Sequence, residues 1–369
     1  MIYWLKKLNR SRNHHFKIYK FKLRLKLACI FSNRNLIRLT QNNKKTRNIV
    51  IPFIGKGIGD AIVISGLVDI LAENGFKVSV VADYKIYFLF ESWKNLDNLF
   101  LYDSQQVQET IKSLRKLGPF IFVDPHEITS SSIDTFNIIR RSKPVRTIGF
   151  NDNYSIYDEV VSITQPRGHV SEKCLDLLLH LTGKTPSSYD YVVRIPEKDK
   201  MEALHIIKGI GAKKIIAFVP YGSVSTRFFS DEQIRCILNY FSLYADNLHV
   251  IIIGEQSKIK GIKVEGNASK NLASSFFTAA QLIKESCLVI SPDTSIVHLS
   301  NVFNKRMVCF YPYKTVGDVA DNADVWGPNY YNAVQVRLSD EMLSEADTAY
   351  IVSCIEGEVN KIVNFKGKQ

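Results

Sequence analysis

The stretch that decides the fold is residues 48–60, NIVIPFIGKGIGD, in which a short apolar run leads directly into a glycine-rich turn. The continuous apolar part predicts a strand that is buried on both faces. Residues 61–73 then follow a helical pattern that Asn74-Gly75 closes, and residues 77–82 form a second apolar run. A strand, a helix and a strand in this order predict a βαβ unit with parallel strands.

The same alternation continues along the chain and restarts after a polar stretch at residues 184–200, which we interpret as an interdomain connection. Further apolar runs predict strands at residues 120–124, 145–149, 214–219, 249–254, 287–290 and 306–310. We therefore predict an α/β fold of two Rossmann-like, doubly wound parallel-sheet domains that face a cleft, with ligands bound where the strands end. The predicted boundaries are 1–47 for a basic arm, 48–190 for the N-terminal domain, 205–345 for the C-terminal domain, and 346–369 for a C-terminal helix and tail.

Length and composition fit this organisation. The chain has 369 residues, enough for two domains, and 46% of them are hydrophobic, enough for two cores. Its six cysteines are scattered without a CxxC pair, which indicates reduced thiols in a cytosolic protein and argues against a disulfide framework or a zinc site. No cluster of carboxylates, histidines or cysteines predicts a metal ion.

The net charge of +12 is concentrated at the N-terminus. Residues 1–48 contain 14 Lys and Arg and no Asp or Glu, so the rest of the chain is nearly neutral. Aromatic and apolar residues interleave with the basic ones, a pattern suited to an anionic lipid surface, where each cation contributes about 1 kcal/mol. The sequence shows neither an export signal nor an apolar run long enough to cross a bilayer. A solvated tail is an alternative, and nucleic-acid binding is disfavoured because the body has no basic excess.

The first candidate loop is residues 55–60, GKGIGD, directly after the first predicted strand. Its glycines leave backbone N–H groups accessible at the start of a helix, as in a dinucleotide fingerprint with Asp83 as the ribose-binding acid. That interpretation fails at Asp60, which stands where the third glycine belongs and would repel a pyrophosphate. A carboxylate in this place suits a general base better, although a helix N-cap is an alternative. Lys56, Gly57 and Gly59 complete the loop.

Two further loops carry hydroxyls and charges at strand ends. Residues 220–227, PYGSVSTR, contain Ser225, Thr226 and Arg227, which suit a phosphate near a helix start. Residues 291–299, SPDTSIVHL, predict a helix that opens near Asp293. Its first N–H groups and a histidine one turn deeper could bind a diphosphate; the residues concerned are Thr294, Ser295 and His298. Glu255, after a third strand, is either a ribose- or base-binding acid or a solvated loop residue.

These motifs, in their order and spacing, resemble glycosyltransferase family nine, the ADP-heptose:lipopolysaccharide heptosyltransferases. The resemblance covers residues 48–330 and is most specific at residues 291–299. It implies a GT-B-type fold, inverting sugar transfer and no metal or other cofactor. It also implies a catalytic base at Asp60 and donor-diphosphate contacts at Thr226 and Arg227. The implied donor-binding segment comprises Asp293, Thr294, Ser295 and His298, and Glu255 approximates the nucleoside-binding acid.

Two positions depart from the family pattern. Arg227 stands where a lysine is usual, and Ser295 stands where a glycine is usual. The side chain of Ser295 takes up space that a glycine would leave to the diphosphate. The basic arm precedes the family pattern altogether.

The resemblance further implies a nucleotide-sugar donor, which is ADP-heptose in this family, and an anionic glycolipid acceptor, the lipopolysaccharide core. We therefore expect a cytoplasmic enzyme that associates peripherally with the inner membrane through residues 1–47 and binds no nucleic acid. Three alternatives remain open from the sequence: a protein O-heptosyltransferase of the same fold, an NAD(P)-dependent oxidoreductase and a nucleic-acid-binding protein.

Overall fold

The computed structural model describes residues 19–20, 23, 46–127, 132–150, 156–211, 213–313, 315–316 and 320–363. These residues form two compact units that alternate along the chain. The first unit holds the described residues up to Gly57 together with those of Leu67–Thr164 and Lys173–Ser187. The second holds Ile58–Gly66, Gln165–Glu172 and the described residues from Ser188 onward.

The first unit is built on a six-stranded sheet with the order β3-β2-β1-β4-β5-β6, and every pairing in it is parallel. The strands are β1 Asn48–Phe53, β2 Lys77–Asp83, β3 Asn98–Tyr102, β4 Ile121–Val123, β5 Arg146–Phe150 and β6 Glu159–Val161. Helices between them span Tyr87–Phe90, Val107–Lys116 and Ser132–Ser142. The central strand β1 is buried over its last five residues, as its continuous apolar sequence predicts.

The second unit contains another six-stranded parallel sheet, in the order β14-β11-β10-β7-β8-β9. The strands are β7 Lys214–Phe218, β8 Leu248–Ile252, β9 Ala268–Lys270, β10 Leu288–Pro292, β11 Met307–Tyr311 and β14 Ala333–Arg337; the short pair β12 Thr315–Val316 and β13 Ala320–Asp321 is antiparallel. The α-helices span Glu197–Ile210, Asp231–Ser242, Gln256–Ile259, Phe276–Glu285, Ser295–Val302, Asn322–Val325 and Thr348–Val363, and 3₁₀ turns span Ser225–Arg227 and Leu343–Glu345.

Two helices are shared between the units. Helix Ile58–Glu73 belongs to the second unit up to Gly66, and helix Val170–Thr182 does so up to Glu172.

Both faces of the second sheet are covered by apolar residues. Along β7, Ile215 and Ala217 belong to one core cluster, while Ile216 and Phe218 belong to another. Successive side chains of a strand point to opposite faces, so the sheet has a core on each side. Two parallel sheets with helices between their strands confirm the predicted α/β architecture.

The stretch 184–200, predicted to be an interdomain connection, packs onto the second unit from residue 188 onward. The hydroxyl of Tyr189 donates to the carbonyl of Val63 at 2.8 Å, and the backbone N–H of Val192 donates to Oγ of Ser65 at 2.6 Å. Gly66 leaves space for this strip, since a Cβ there would lie 2.6 Å from the carbonyl oxygen of Asp190. The connection therefore supplies core contacts.

The predicted basic arm, residues 1–47, lies outside the described residues except for 19–20, 23 and 46–47, and its membrane role stays a prediction. The same applies to residues 364–369 of the predicted tail. Within the described ranges, no helix combines the length and the apolar character that crossing a bilayer needs. Among the cysteines described there, Cys236, Cys287, Cys309 and Cys354 form no disulfide bond.

Candidate functional site

The candidate donor loops lie at one edge of the second sheet. Strand β7 pairs in parallel with both β8 and β10, so the loops that follow these three strands begin at the same edge. They contain three of the predicted groups: the Ser225–Arg227 turn, Glu255 and the start of helix Ser295–Val302. The parallel topology therefore brings together residues that are up to 70 positions apart in sequence.

The loop after β7 folds back on itself and orients Arg227. The backbone N–H of Gly222 donates to the carbonyl of Arg227 at 3.0 Å. A Cβ at position 222 would lie 2.7 Å from Cβ of Arg227, so this approach requires glycine. Ser225 and Thr226 are exposed on the 3₁₀ turn.

The N-terminus of the next α-helix lies beyond this turn and is already capped. Helix Asp231–Ser242 begins after Ser230, whose hydroxyl accepts from the N–H of Gln233, while the Gln233 side chain accepts from the N–H of Ser230. Two acidic residues occupy its first turn. Ser225 and Thr226 therefore lie on a 3₁₀ turn that precedes this capped helix, and their contact with a phosphate stays a prediction.

Arg227 forms an ion pair with Asp293 from the loop after β10. Nη2 of Arg227 lies 2.8 Å from Oδ2 of Asp293, and Nη1 donates to the Asp293 carbonyl at 3.1 Å. The side chains are 19% and 8% exposed, so the pair is largely shielded from water. Asp293 thus orients the guanidinium and neutralises part of its charge, a role that the sequence pattern did not distinguish from direct donor binding.

The predicted donor helix begins at Ser295, two residues later than expected. Thr294 is its N-cap, with an extended backbone, and its hydroxyl accepts from the N–H of Ile296 at 3.1 Å. The same hydroxyl lies 3.1 Å from Oγ of Ser291. Ser295 is half-buried at the first helical position, next to the positive end of the helix dipole.

His298 lies one turn into this helix and is only 3% exposed. Burial, together with the neighbouring His169, lowers the pKa of His298 to about 3, so the imidazole is neutral near pH 7. Nδ1 has no hydrogen-bond partner among the described residues. The His298 imidazole is therefore a buried neutral group and supplies no positive charge near pH 7.

An aromatic cluster from three other segments surrounds His298. Its ring centroid lies 6.2 Å from that of His169, 6.3 Å from Tyr191 and 6.0 Å from Trp326. All four side chains belong to the second unit. The cluster excludes water from the imidazole, which is the physical cause of its low pKa.

Hydrogen bonds define the tautomer of His169. The backbone N–H of Ser171 donates to Nδ1 at 3.1 Å, so Nδ1 is the acceptor and Nε2 carries the proton. Nε2 then donates to the carbonyl of Gly327 at 3.1 Å. His169 is thus a structural link between its own segment and the segment that contains Trp326.

Gly59 lies directly against the donor helix. A Cβ built on Gly59 would be 3.2 Å from Cδ2 of His298 and 3.6 Å from Cα of Ser295. Asp60, the predicted base, is the next residue; it is half-buried and lies in the first turn of helix Ile58–Glu73. The predicted base is therefore adjacent in sequence to a residue that contacts the predicted diphosphate-binding helix.

Glu255 lies at the start of the short helix Gln256–Ile259, and its side chain is 66% exposed. Lys258 pairs with it at 2.9 Å and also donates to the carbonyl of Gly222 at 3.2 Å. Lys258 lies over the ring of Phe228 at 5.4 Å as well. Lys258, a cation that no sequence motif indicated, therefore lies beside the loop that contains Arg227.

In the first unit, Gly55 opens the GKGIGD loop with φ of 65°, a conformation that favours glycine. Its N–H donates to Oδ2 of Asp83 at 2.7 Å, while Oδ1 of Asp83 accepts from the N–H of Lys85 at 3.1 Å. Asp83 thus fixes two backbone turns instead of presenting a carboxylate for a ribose, which weakens the dinucleotide interpretation. Lys56 is half-buried and Gly57 exposed.

Several residues around the site give no periodic or motif signal in the sequence. They come from segments that meet only in the folded unit, and the one available hint was the density of aromatic residues near 189–191 and 326–331. The residues are Tyr191, Lys258 and Trp326.

The comparisons with known proteins give one curated relative at the level of sequence. No protein-family model matches the chain. A protein of Escherichia coli (strain K12) described as "Putative lipopolysaccharide heptosyltransferase 4" is 24% identical over 355 residues. The alignment covers 94% of this chain and 96% of that protein.

Two solved structures are similar over most of the chain. The glycosyl transferase family 9 protein of Veillonella parvula DSM 2008 has a TM-score of 0.69 at 15% identity, covering 87% of this chain and 100% of its own. The E. coli heptosyltransferase WaaC with ADP has a TM-score of 0.64 at 12% identity, covering 84% and 99%. At such identities the likeness concerns the fold, and it confirms the predicted GT-B-type architecture. Together with the curated relative, it confirms the resemblance predicted from the motifs.

Proposed function

Because the chain resembles glycosyltransferase family nine in its ordered motifs and over nearly its whole length, we infer that it is a glycosyltransferase. We propose that it transfers a heptose from ADP-heptose to a lipopolysaccharide core acceptor, with inversion at the anomeric carbon. Relatives described as heptosyltransferases, one of them with ADP bound, support the choice of heptose as the sugar and of adenine as the nucleobase of the donor.

The observation that carries the proposal is the contact of Gly59 with the start of helix Ser295–Val302. It brings the residue before Asp60 to within contact distance of Ser295 and His298, the segment that we assign to the donor diphosphate. Displacement at an anomeric carbon needs a base for the incoming hydroxyl close to the group that holds the departing diphosphate. The Gly59 contact supports this proximity.

In the proposed reaction, a carboxylate oxygen of Asp60 accepts the proton of an acceptor sugar hydroxyl as its oxygen attacks the anomeric carbon. The bond from that carbon to the diphosphate oxygen breaks, and its electron pair leaves with the nucleotide. Asp60 is half-buried and carries a carboxyl group, one of the side chains that serve as general bases in enzymes.

We assign stabilisation of the departing diphosphate to three groups. Arg227 supplies a guanidinium that Asp293 holds in place, the start of helix Ser295–Val302 supplies N–H groups and dipole, and His298 supplies a neutral hydrogen bond. Since Asp293 offsets part of the charge of Arg227, the oriented N–H groups carry more of the stabilisation than net charge does. We propose that these groups act without a metal ion.

The donor class is tested first by thermal shift with ADP, UDP and GDP and the corresponding sugars. A ligand at 100 times its Kd stabilises the folded protein by about 2.7 kcal/mol, so a true donor is readily detected. We expect ADP and ADP-heptose to raise the melting temperature and UDP and GDP compounds to leave it within 1 °C. Stabilisation by UDP-sugars alone would reassign the donor.

Transfer itself is tested with heptose-deficient lipopolysaccharide core, and a serine-containing peptide serves as the competing acceptor. We expect mass spectrometry to find one added heptose on the glycolipid, with the opposite anomeric configuration from that in the donor, and undiminished product after EDTA treatment. Product on the peptide alone would favour the protein O-heptosyltransferase.

A further inference from the structure

A buried side-chain amide lies behind the ion pair of Arg227 and Asp293, at a position outside every motif. Asn322 is the first residue of the four-residue helix Asn322–Val325 and is 5% exposed. Its Nδ2 donates to Oδ2 of Asp293 at 2.7 Å. That oxygen is the one that also pairs with Nη2 of Arg227 at 2.8 Å. One carboxylate oxygen is thus held between an amide and a guanidinium.

The position of Asn322 is fixed from both sides of its short helix. Asp321 caps the helix by accepting from the N–H of Ala323 at 2.9 Å, and Nε2 of Gln335 on β14 donates to the carbonyl of Ala323 at 2.6 Å. The hydroxyl of Tyr311 on β11 donates to the carbonyl of Trp326 at 2.8 Å. Side chains of two neighbouring strands therefore anchor the segment, so the amide of Asn322 is a fixed donor.

A buried carboxylate needs donors to offset its lost hydration, and it orients according to where those donors lie. With Asn322 in place, the Asp293 carboxylate is constrained, and the two-point contact of Arg227 with Asp293 constrains the guanidinium in turn. Without the amide, the carboxylate can rotate about its Cβ–Cγ bond and the guanidinium follows it. We propose that Asn322 is a positioning residue for the donor diphosphate, acting through Asp293 on Arg227.

This proposal rests on the proposed function, because it takes Arg227 as a diphosphate ligand. The first measurement is ADP binding by calorimetry to the full-length Asn322→Ala protein, followed by donor kinetics. We expect ADP affinity to fall about tenfold and the KM for ADP-heptose to rise by a similar factor, with a smaller change in kcat. The matched control is Asn267→Ala, which removes another buried amide of the second unit, one that donates to the carbonyls of Phe241 and Leu248 and not to Asp293; we expect ADP affinity within about twofold of native.

A double-mutant cycle separates positioning from general loosening. In the Arg227→Ala background we expect Asn322→Ala to change ADP affinity less than about twofold, because the residue on which it acts is gone. A tenfold loss in both backgrounds, an equal loss in Asn267→Ala, or native affinity in Asn322→Ala would each overturn the proposal.

The same double-mutant cycle can be measured by urea unfolding, which needs no ligand. It therefore tests the coupling of Asn322 to Arg227 separately from the proposed binding of a nucleoside diphosphate. If native protein binds no nucleoside diphosphate, the proposed function fails. If the unfolding free energies of Asn322→Ala and Arg227→Ala are then additive, the coupling through Asp293 fails as well; if they are non-additive, the coupling stands without the proposed ligand.

Discussion

Gly59 and His298 are in such close contact that a single added methyl group at position 59 would lie 3.2 Å from Cδ2 of the imidazole. His298 cannot easily yield, because it is 3% exposed and packed among His169, Tyr191 and Trp326. The glycine is therefore required by close approach between two helices, and its own backbone conformation does not require it. This contact links the residue beside the proposed base to the helix proposed to bind the donor diphosphate.

Gly59→Ala should lower transfer activity about tenfold, because the helix start must move by a few tenths of an ångström and catalytic geometry is sensitive to such shifts. The measurement is kcat/KM with ADP-heptose and core acceptor. The control is Gly209→Ala, another helical glycine, at which a Cβ would meet nothing within 4 Å. We expect the control to keep native activity and to gain up to about 1 kcal/mol of stability. Equal activities of the two variants would show that the contact has no catalytic consequence.

Arg227→Ala should destabilise the protein by about 2–3 kcal/mol, somewhat less than the ~3–5 kcal/mol of a fully buried pair because the guanidinium is partly exposed. The cost arises from leaving the Asp293 carboxylate shielded from water without its counter-ion. Urea unfolding at pH 7 gives the free energy, and the double variant Arg227→Ala with Asp293→Asn should recover part of the loss. A double variant as unstable as the sum of the single variants would contradict this account of the pair.

His298 should make stability depend on pH in a defined window. Its pKa is near the ordinary 6.5 in the unfolded chain and lowered to about 3 in the folded protein. Above pH 6.5 the His298 side chain is neutral in both the folded and the unfolded protein. As pH falls from about 6.5 towards 3, the unfolded state gains a proton that the folded state does not, so native stability falls by about 1 kcal/mol per pH unit. His298→Gln should lack this slope, and comparing urea unfolding of both proteins at pH 7 and pH 5 cancels the other titrating groups. Parallel pH profiles would contradict the assignment of His298 as a buried neutral imidazole.

Deletion of residues 1–44 should release the protein from anionic vesicles while sparing transfer to a delipidated acceptor. The reason is that this segment holds the positive excess of the chain, and each cation contributes about 1 kcal/mol at an anionic surface. Sedimentation with vesicles of phosphatidylglycerol and with neutral phosphatidylcholine vesicles measures the effect. Vesicle binding that survives the deletion would exclude the lipid role of the arm.

The central strands of the two sheets could be predicted from the sequence, but the edge strands β3 and β9 were not predicted. Strand β1 was predicted because a strand buried on both faces needs a continuous apolar run. Strands β3 and β9 were missed because an edge strand buries little: β3 has one fully buried residue, and β9 is the partly buried tripeptide Ala268–Lys270. The sequence of β9 does not differ from that of a loop, whereas residues 99–102 of β3 form a short apolar run typical of a strand.

The residues of the proposed site also fall into two groups: those with a local sequence signal and those whose role depends on contacts with distant segments. Thr226, Arg227 and His298 were predicted as site residues because strand ends with glycine, hydroxyl and charge have a recognisable local order. Asn322 could not be found, because its importance depends on a contact with Asp293 across 29 positions of sequence. The neutrality of His298 could not be found either, since a pKa depends on burial by other segments and not on the local sequence.

The most direct test of the central claim is the transfer rate of Asp60→Asn, which keeps the size of the side chain and removes the base. Single-turnover measurements with ADP-heptose and core acceptor should show a rate lowered by about 10²–10⁴, the usual contribution of a positioned general base. ADP affinity and melting temperature should stay close to native, because asparagine keeps the size of the side chain and the proposed donor contacts come from other residues. A rate within tenfold of native, in a variant that binds ADP normally, would contradict the assignment of Asp60 as the catalytic base.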